Sequence, residues 1–244
     1  MEKDPSGTLD AVASLGYAEV EFAGYFQHGP AEIIRMLDHA GLQAPCAHAS
    51  PAILMTNPEE FFDTAALIGH RYVVLPWWEE QQRTLNGYTK LVTLLNQVGE
   101  LAKERNIRLA YHNHDFEFST IGAKIPYDFL LQETDPECVY FELDLYWAAV
   151  CKRDPIQLFA DYPGRFPLLH AKDMDSSGNI ADVGKGVIDF ATIFEHASGG
   201  GLEHVFVEHD DPEHPMRSAA QGLAYINETA CDRIKKGGPV LARQ

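Results

Sequence analysis

Short apolar stretches bounded by turn residues recur along the chain and predict buried strands. Each stretch is rich in β-branched or aromatic residues, which is typical of strands inside a sheet. Seven strands are predicted: Ala18 to Ala23, Gln43 to His48, Tyr72 to Trp77, Arg108 to His114, Val139 to Asp144, Phe166 to Lys172 and His204 to Asp210.

The segments between these strands carry apolar residues at helical spacing. Several open with proline and stop at glycine, the asymmetry expected of helix ends. Eight helices are predicted: Gly7 to Leu15, Ala31 to Ala40, Pro58 to Ile68, Tyr88 to Arg105, and shorter ones that begin near Pro126, Pro155, Asp189 and Met216. Strands that alternate with helices indicate a parallel sheet.

The leading helix has no strand before it, so the count is eight helices to seven strands. We therefore predict an α/β fold of the (β/α)8 TIM barrel type, with the first β-strand absent from this chain. Either the chain is truncated, or another element closes the barrel. The alternative is an open doubly wound sheet, but no GxGxxG follows the first strand, and Gly184-Lys185-Gly186 lacks the spacing of a phosphate loop. No Ser/Gly-rich linker divides residues 1–244, which predicts a single domain.

Composition narrows the classes of partner. The 36 acidic and 19 basic residues give a formal net charge of −17, which disfavours nucleic acid, since its phosphates are bound by Lys and Arg. No apolar run is long enough for a membrane span. Four widely spaced cysteines and an N-terminus without signal-peptide features predict reduced thiols in a cytoplasmic protein.

Polar residues come in pairs at the carboxyl ends of the predicted strands, where residues two apart share a face. In a barrel these ends converge on one pocket, where active sites lie. Carboxylates and imidazoles brought together there need a cation to offset their charge and burial, and this mixture of ligands suits Mn²⁺, Co²⁺, Zn²⁺ or Mg²⁺. The pairs are Glu19 and Glu21, His112 and His114, Glu142 and Asp144, His170 and Lys172, and Glu208 and Asp210, with His48 ending another strand alone.

Several of these residues have a structural alternative. Asp144 is also placed to cap the segment that follows it, and Lys172 could extend its ammonium to the barrel rim. Asp210 runs into an acidic loop that is typical of solvent exposure. Trp77 and Trp147 lie near strand ends, where they would either stack on a sugar ring or belong to the core.

A set of motifs resembles the xylose-isomerase-like TIM barrels, a family broadly described as sugar phosphate isomerases and epimerases. The resemblance covers nearly the whole chain. It is carried by the strand ends and by Tyr111-His112-Asn113-His114-Asp115-Phe116, Phe141-Glu142-Leu143-Asp144, His170-Ala171-Lys172-Asp173, the Gly184 to Phe190 stretch and Val207-Glu208.

The resemblance implies one divalent cation held by Glu, Asp, His and Glu from four successive strands. Asp144, His170 and Glu208 match the last three ligands. The first Glu would fall at His112, so either Glu142 supplies that carboxylate or His112 is itself a ligand. Trp147 stands where the family usually has His. These two departures resemble the subgroup near inosose dehydratases and enzymes that act on 3-keto sugars.

We therefore predict a metal-dependent sugar isomerase, epimerase or lyase that removes a proton next to a carbonyl of a keto sugar or cyclitol. Mn²⁺ is the first choice of cation, with Mg²⁺, Co²⁺ or Zn²⁺ as alternatives. The barrel edge left by the absent strand would favour a homodimer. One alternative is an inactive sugar-binding or partner barrel, and another is an abasic-site endonuclease, which the acidic charge disfavours. The predicted residues are Glu142, Asp144, His170 and Glu208 for the metal; Glu142, Glu208, His112, His114 and Lys172 for catalysis; and His48, Glu21, Trp77 and Trp147 for substrate binding.

Overall fold

A computed structural model describes residues 3–235 of the chain. These residues form two compact units. Unit 1 contains the residues up to Leu9 together with Glu19–Phe141, and unit 2 contains Asp10–Ala18 and the residues from Glu142 onwards.

Unit 1 is built on parallel strands that pair in chain order. They are β1 (Glu19–Phe22), β2 (Gln43–His48), β3 (Tyr72–Leu75) and β4 (Arg108–His112), followed by the first half of β5 (Val139–Asp144). All four residues of β3 are buried, as expected for a parallel strand covered on both faces. Their continuous apolar sequence is the reason that this segment is predictable as a strand.

Several helices of unit 1 begin at a proline, and two of them end at a glycine. α2 (Pro30–Ala40), α3 (Pro51–Thr56), α4 (Pro58–Ile68) and α6 (Pro126–Glu133) each carry proline in the first turn, where its missing N–H costs no hydrogen bond. α2 and α4 end at Gly41 and Gly69, both left-handed at φ 70° and 98°, a conformation that glycine adopts without strain. The longest helix of this unit is α5 (Leu85–Lys103), and short 3₁₀ turns occupy Glu80–Gln82 and Phe116–Phe118.

Unit 2 continues the same pattern. The second half of β5, β6 (Leu168–Ala171) and β9 (His204–Val207) pair in parallel, while β7 (Asp173–Met174) and β8 (Ile180–Ala181) form a small antiparallel hairpin. The helices are α7 (Leu145–Val150), α8 (Pro155–Asp161), α9 (Phe190–Gly200) and α10 (Pro215–Lys235). α1 (Pro5–Ser14) precedes β1 and spans the boundary between the two units.

All seven predicted strands are present, but several end earlier than predicted. β3, β4 and β9 stop at Leu75, His112 and Val207, so Trp77, His114 and Glu208 lie in the loops that follow. Lys172 likewise follows β6. The helices α3 and α7 and the β7/β8 hairpin were not predicted, because each is too short to show a hydrophobic period.

The ladder between β1 and β2 contains a register shift between Glu19 and Glu21. Glu19 pairs with Gln43 and Glu21 with Cys46, so a step of two residues along β1 matches a step of three along β2, and the extra residue lies in β2. Glu19 lines a surface cavity with Gln43 and Arg71, at the starting ends of the strands of unit 1, whereas Glu21 contacts His48.

The structure also bears on membrane helices and on the thiols. Within residues 3–235, every helix is too short or too polar to cross a membrane. Cys46, Cys138 and Cys151 are free thiols, and the side chain of Cys231 lies outside the described residues.

Candidate active site

In unit 1, Glu21 and His48 form a polar pair at the ends of adjacent strands. His48 Nε2 lies 3.0 Å from Glu21 Oε2, and the Cys46 thiol donates to the other oxygen of Glu21 at 2.6 Å. Both members of the pair are largely buried, with 16% and 10% of their side chains exposed. The carboxylate therefore fixes the orientation of the imidazole, as expected for a histidine in a functional site.

Three imidazoles lie next to one another in unit 1, in the order His48, His112 and His114. The ring centroids of His48 and His112 lie 5.9 Å apart, and those of His112 and His114 lie 5.0 Å apart. His114 stacks on Phe116 with nearly parallel planes, and the Arg83 guanidinium lies 3.3 Å from the centroid of the same Phe116 ring. Three predicted residues are thus brought together in this unit, while Trp77 has 40% of its surface exposed in the loop after β3.

In unit 2, His170 at the end of β6 lies between two carboxylates. Its Nε2 is 3.1 Å from Glu142 Oε2, and its Nδ1 is 2.8 Å from Glu208 Oε2. Glu142 is completely buried in β5, whereas about a third of the Glu208 side chain is exposed. Three of the predicted metal ligands, Glu142, His170 and Glu208, therefore lie together, with the imidazole in contact with both carboxylates.

Lys172 is a buried cation beside three carboxylates of unit 2. Its Nζ lies 3.5 Å from Asp144, 3.0 Å from Glu208 and 2.5 Å from Asp210. Burial lowers the pKa of Lys172, but the charges of Asp144, Glu208 and Asp210 raise it by more, so the pKa lies above its usual value. The lysine therefore stays protonated, and Glu208 is shared between Lys172 and His170.

Asp144 has two contacts. Its Oδ1 accepts the Trp147 N–H at 3.0 Å and caps α7, which is the capping role weighed from the sequence. Its Oδ2 faces Lys172. The Trp147 ring lies 5.7 Å from the Lys172 ammonium, so this tryptophan contributes an aromatic face next to the cation.

The donors gathered in unit 2 fit a divalent cation. Two carboxylates and an imidazole are ligands that Mn²⁺, Co²⁺ and Zn²⁺ accept. A fully buried carboxylate such as Glu142 is costly unless a cation or hydrogen bonds offset its charge. His170 would bind a metal through one ring nitrogen while the other donates to a neighbouring carboxylate, and each of its nitrogens has such a carboxylate nearby.

Two buried carboxylates with clear structural roles were not predicted. The Asp173 carboxylate accepts hydrogen bonds from four backbone N–H groups, those of Met174, Gly184, Gly186 and Ile188. It therefore holds the loop of residues 184–188 close to the end of β6. Glu117 accepts from the Tyr111 hydroxyl and from the His114 N–H. The signal in the sequence was an acidic residue between two aromatic ones, Phe116-Glu117-Phe118.

The family model "Xylose isomerase-like TIM barrel" matches residues 9–229, and the chain belongs to that family. This confirms the predicted α/β TIM barrel class over the doubly wound alternative. Among curated proteins, the chain is similar to an inosose dehydratase from Lacticaseibacillus casei, with 25% identity over 91% of this chain and 88% of that protein.

Two solved structures share the fold. A sugar phosphate isomerase/epimerase from Parabacteroides distasonis is 26% identical, with a TM-score of 0.77, over 92% of this chain and 88% of that one. A xylose isomerase-like TIM barrel protein from Mycobacterium smegmatis, in complex with magnesium, has a TM-score of 0.71 at 14% identity over 94% of this chain and 89% of that one. The related proteins named as enzymes support a sugar-modifying enzyme.

Proposed function

We propose that this protein is a divalent-metal-dependent enzyme that removes a proton from the carbon next to a carbonyl of a keto sugar or cyclitol. The observation that carries the proposal is the arrangement of Glu142, His170 and Glu208, with both nitrogens of one imidazole within 3.1 Å of a carboxylate. The relatives named as an inosose dehydratase and as an isomerase/epimerase support the substrate class.

In this proposal Glu142, Asp144, His170 and Glu208 hold the cation. When bound, a divalent cation would act as a Lewis acid that makes the proton beside the carbonyl more acidic. Mn²⁺ is our first choice because the donor set mixes carboxylates with imidazole.

Glu208 is the residue of unit 2 best placed to move the proton. It is the most exposed of the four ligands, and Lys172 lies 3.0 Å from it. The same ammonium, which stays charged, would stabilise negative charge that develops on a substrate oxygen. From the sequence, we further propose His112 and His114 for a second proton transfer, and Glu21 and His48 for binding substrate hydroxyl groups.

Isomerisation, epimerisation and dehydration share this first step, so the test measures the step itself. The purified protein is incubated with Mn²⁺ and a panel of 3-keto sugars and inososes in D₂O, and deuterium next to the carbonyl is followed by NMR. We expect incorporation with the unaltered protein and at least a hundredfold slower incorporation with Glu208→Gln, because the variant lacks the base.

Glu213→Gln is the matched control, since Glu213 lies in the same loop with 91% of its side chain exposed, and it should exchange at the rate of the unaltered protein. Absence of deuterium across the whole panel would overturn the proposal. Metal analysis provides a second readout: we expect one divalent ion per chain, and less in His170→Gln. A protein that binds sugar but retains no metal would instead favour the non-catalytic alternative.

A further inference from the structure

The side chain of Glu117 is completely buried in unit 1, although none of the proposed chemistry uses it. It lies in the 3₁₀ turn Phe116–Phe118, five residues after the end of β4 at His112. Burying a carboxylate is unfavourable unless its oxygens are well bonded, so its bonding partners indicate what it does.

Each oxygen of Glu117 accepts a hydrogen bond from a different segment. The hydroxyl of Tyr111, a fully buried residue of β4, donates to Oε1 at 2.5 Å, and the backbone N–H of His114 donates to Oε2 at 2.8 Å. The carboxylate thus joins the strand to the turn that carries His114.

The backbone bond to His114 also sets the position of the imidazole. The ring packs against Phe116, with centroids 5.4 Å apart and planes 9° from parallel, and meets the edge of His112. Arg83 covers the same Phe116 ring, and the bond from the His114 N–H to Glu117 holds the backbone from which this imidazole extends.

We propose that Glu117 is a positioning residue whose ionised carboxylate holds the backbone of His114 and thereby orients its imidazole. The catalytic consequence rests on the proposed function, in which His114 transfers a proton. The anchor itself is a property of unit 1 that can be measured without any substrate.

The anchor should weaken as the pH falls, because a protonated carboxyl group presents an O–H where the carboxylate presented an acceptor. Burial raises the pKa of Glu117 to about 7, against the opposing effects of the bonds from Tyr111 and His114 and of the Arg83 charge. The groups that face it are Tyr111 on β4, Tyr88 on α5, Arg83 and the His114 backbone.

The test follows the His114 amide by NMR in protein labelled with ¹⁵N-histidine, with the peak assigned by its loss in His114→Gln. We expect a step in its shift with a midpoint near pH 7, and no such step in Glu117→Gln. Tyr111→Phe should move the step to higher pH, because the hydroxyl bond lowers the pKa of Glu117. This second variant also serves if Glu117→Gln does not fold.

Glu104→Gln, an exposed change in the same unit, should leave the step in place. A His114 peak with the same pH profile in Glu117→Gln would overturn the proposal, because the step would then belong to the imidazole. Deuterium exchange distinguishes the two proposals: we expect kcat to fall at least tenfold in Glu117→Gln, with KM changed less than twofold. If the unaltered protein shows the NMR step but exchanges no substrate proton, only the proposed function fails.

Discussion

The buried carboxyl group of Glu117 makes the unfolding free energy depend on pH. Its pKa in the folded protein is about 7, compared with the ordinary value of 4.5, so the folded state binds this proton more tightly than the unfolded state. The group therefore favours folding fully below pH 4.5, and its contribution is lost as the pH rises towards 7. About 2.5 pKa units correspond to about 3 kcal/mol.

We expect Glu117→Gln to lack this dependence, because an amide does not titrate. Between pH 4.5 and pH 8, the unfolding free energy of the unaltered protein should fall by about 3 kcal/mol relative to that of the variant. Urea titrations of both proteins at the two pH values measure the difference. A gap between the two proteins that stays constant with pH would contradict the assignment.

Single residues also show what the sequence could and could not reveal about the site. Glu142 and His170 were predictable because a charged residue within an apolar strand stands out. The role of Asp144 as a helix cap and the position of Glu117 depend on how the chain turns after β5 and β4. Residue spacing does not encode such turns, so His112 and His114 were paired by a strand rule although β4 ends at His112.

At the scale of elements, the sequence predicts the helices and strands that have a periodic apolar pattern or clear residues at their ends. α4 was found with its observed bounds, because Pro58 opens it and Gly69 closes it. The six-residue helices α3 and α7 were missed, since their first turns are fixed by the capping side chains of Ser50 and Asp144 rather than by an apolar stripe.

The loop that Asp173 holds allows a prediction at this scale. A Cβ on Gly186 would collide with the Asp173 carboxylate and the Met174 carbonyl, whereas one on Gly199 in α9 would meet nothing within 4 Å. We expect Gly186→Ala to lower the unfolding free energy by about 2 kcal/mol and Gly199→Ala to raise it by about 0.5–1 kcal/mol. Thermal unfolding measures both effects. Equal effects of the two substitutions would show that the Asp173 contacts do not hold the loop.

At the scale of the whole molecule, the charge of −17 predicts weak binding to nucleic acid. A DNA-binding surface gains affinity when its cations neutralise phosphates, and this chain has nearly twice as many acidic as basic residues. We expect no retention of duplex DNA at about 50 mM salt in a gel-shift assay. Submicromolar binding that weakens steeply with salt would restore the endonuclease alternative.

The contacts of Asp173 also bear on which sugars the protein can favour. Backbone N–H groups flanked by glycines are a common way to bind phosphate, but here those at Gly184 and Gly186 are already occupied by a carboxylate of the same chain. A tethered anion is always present at high local concentration, so free phosphoryl groups compete poorly for these donors. Phosphorylated ligands would gain no affinity from this turn.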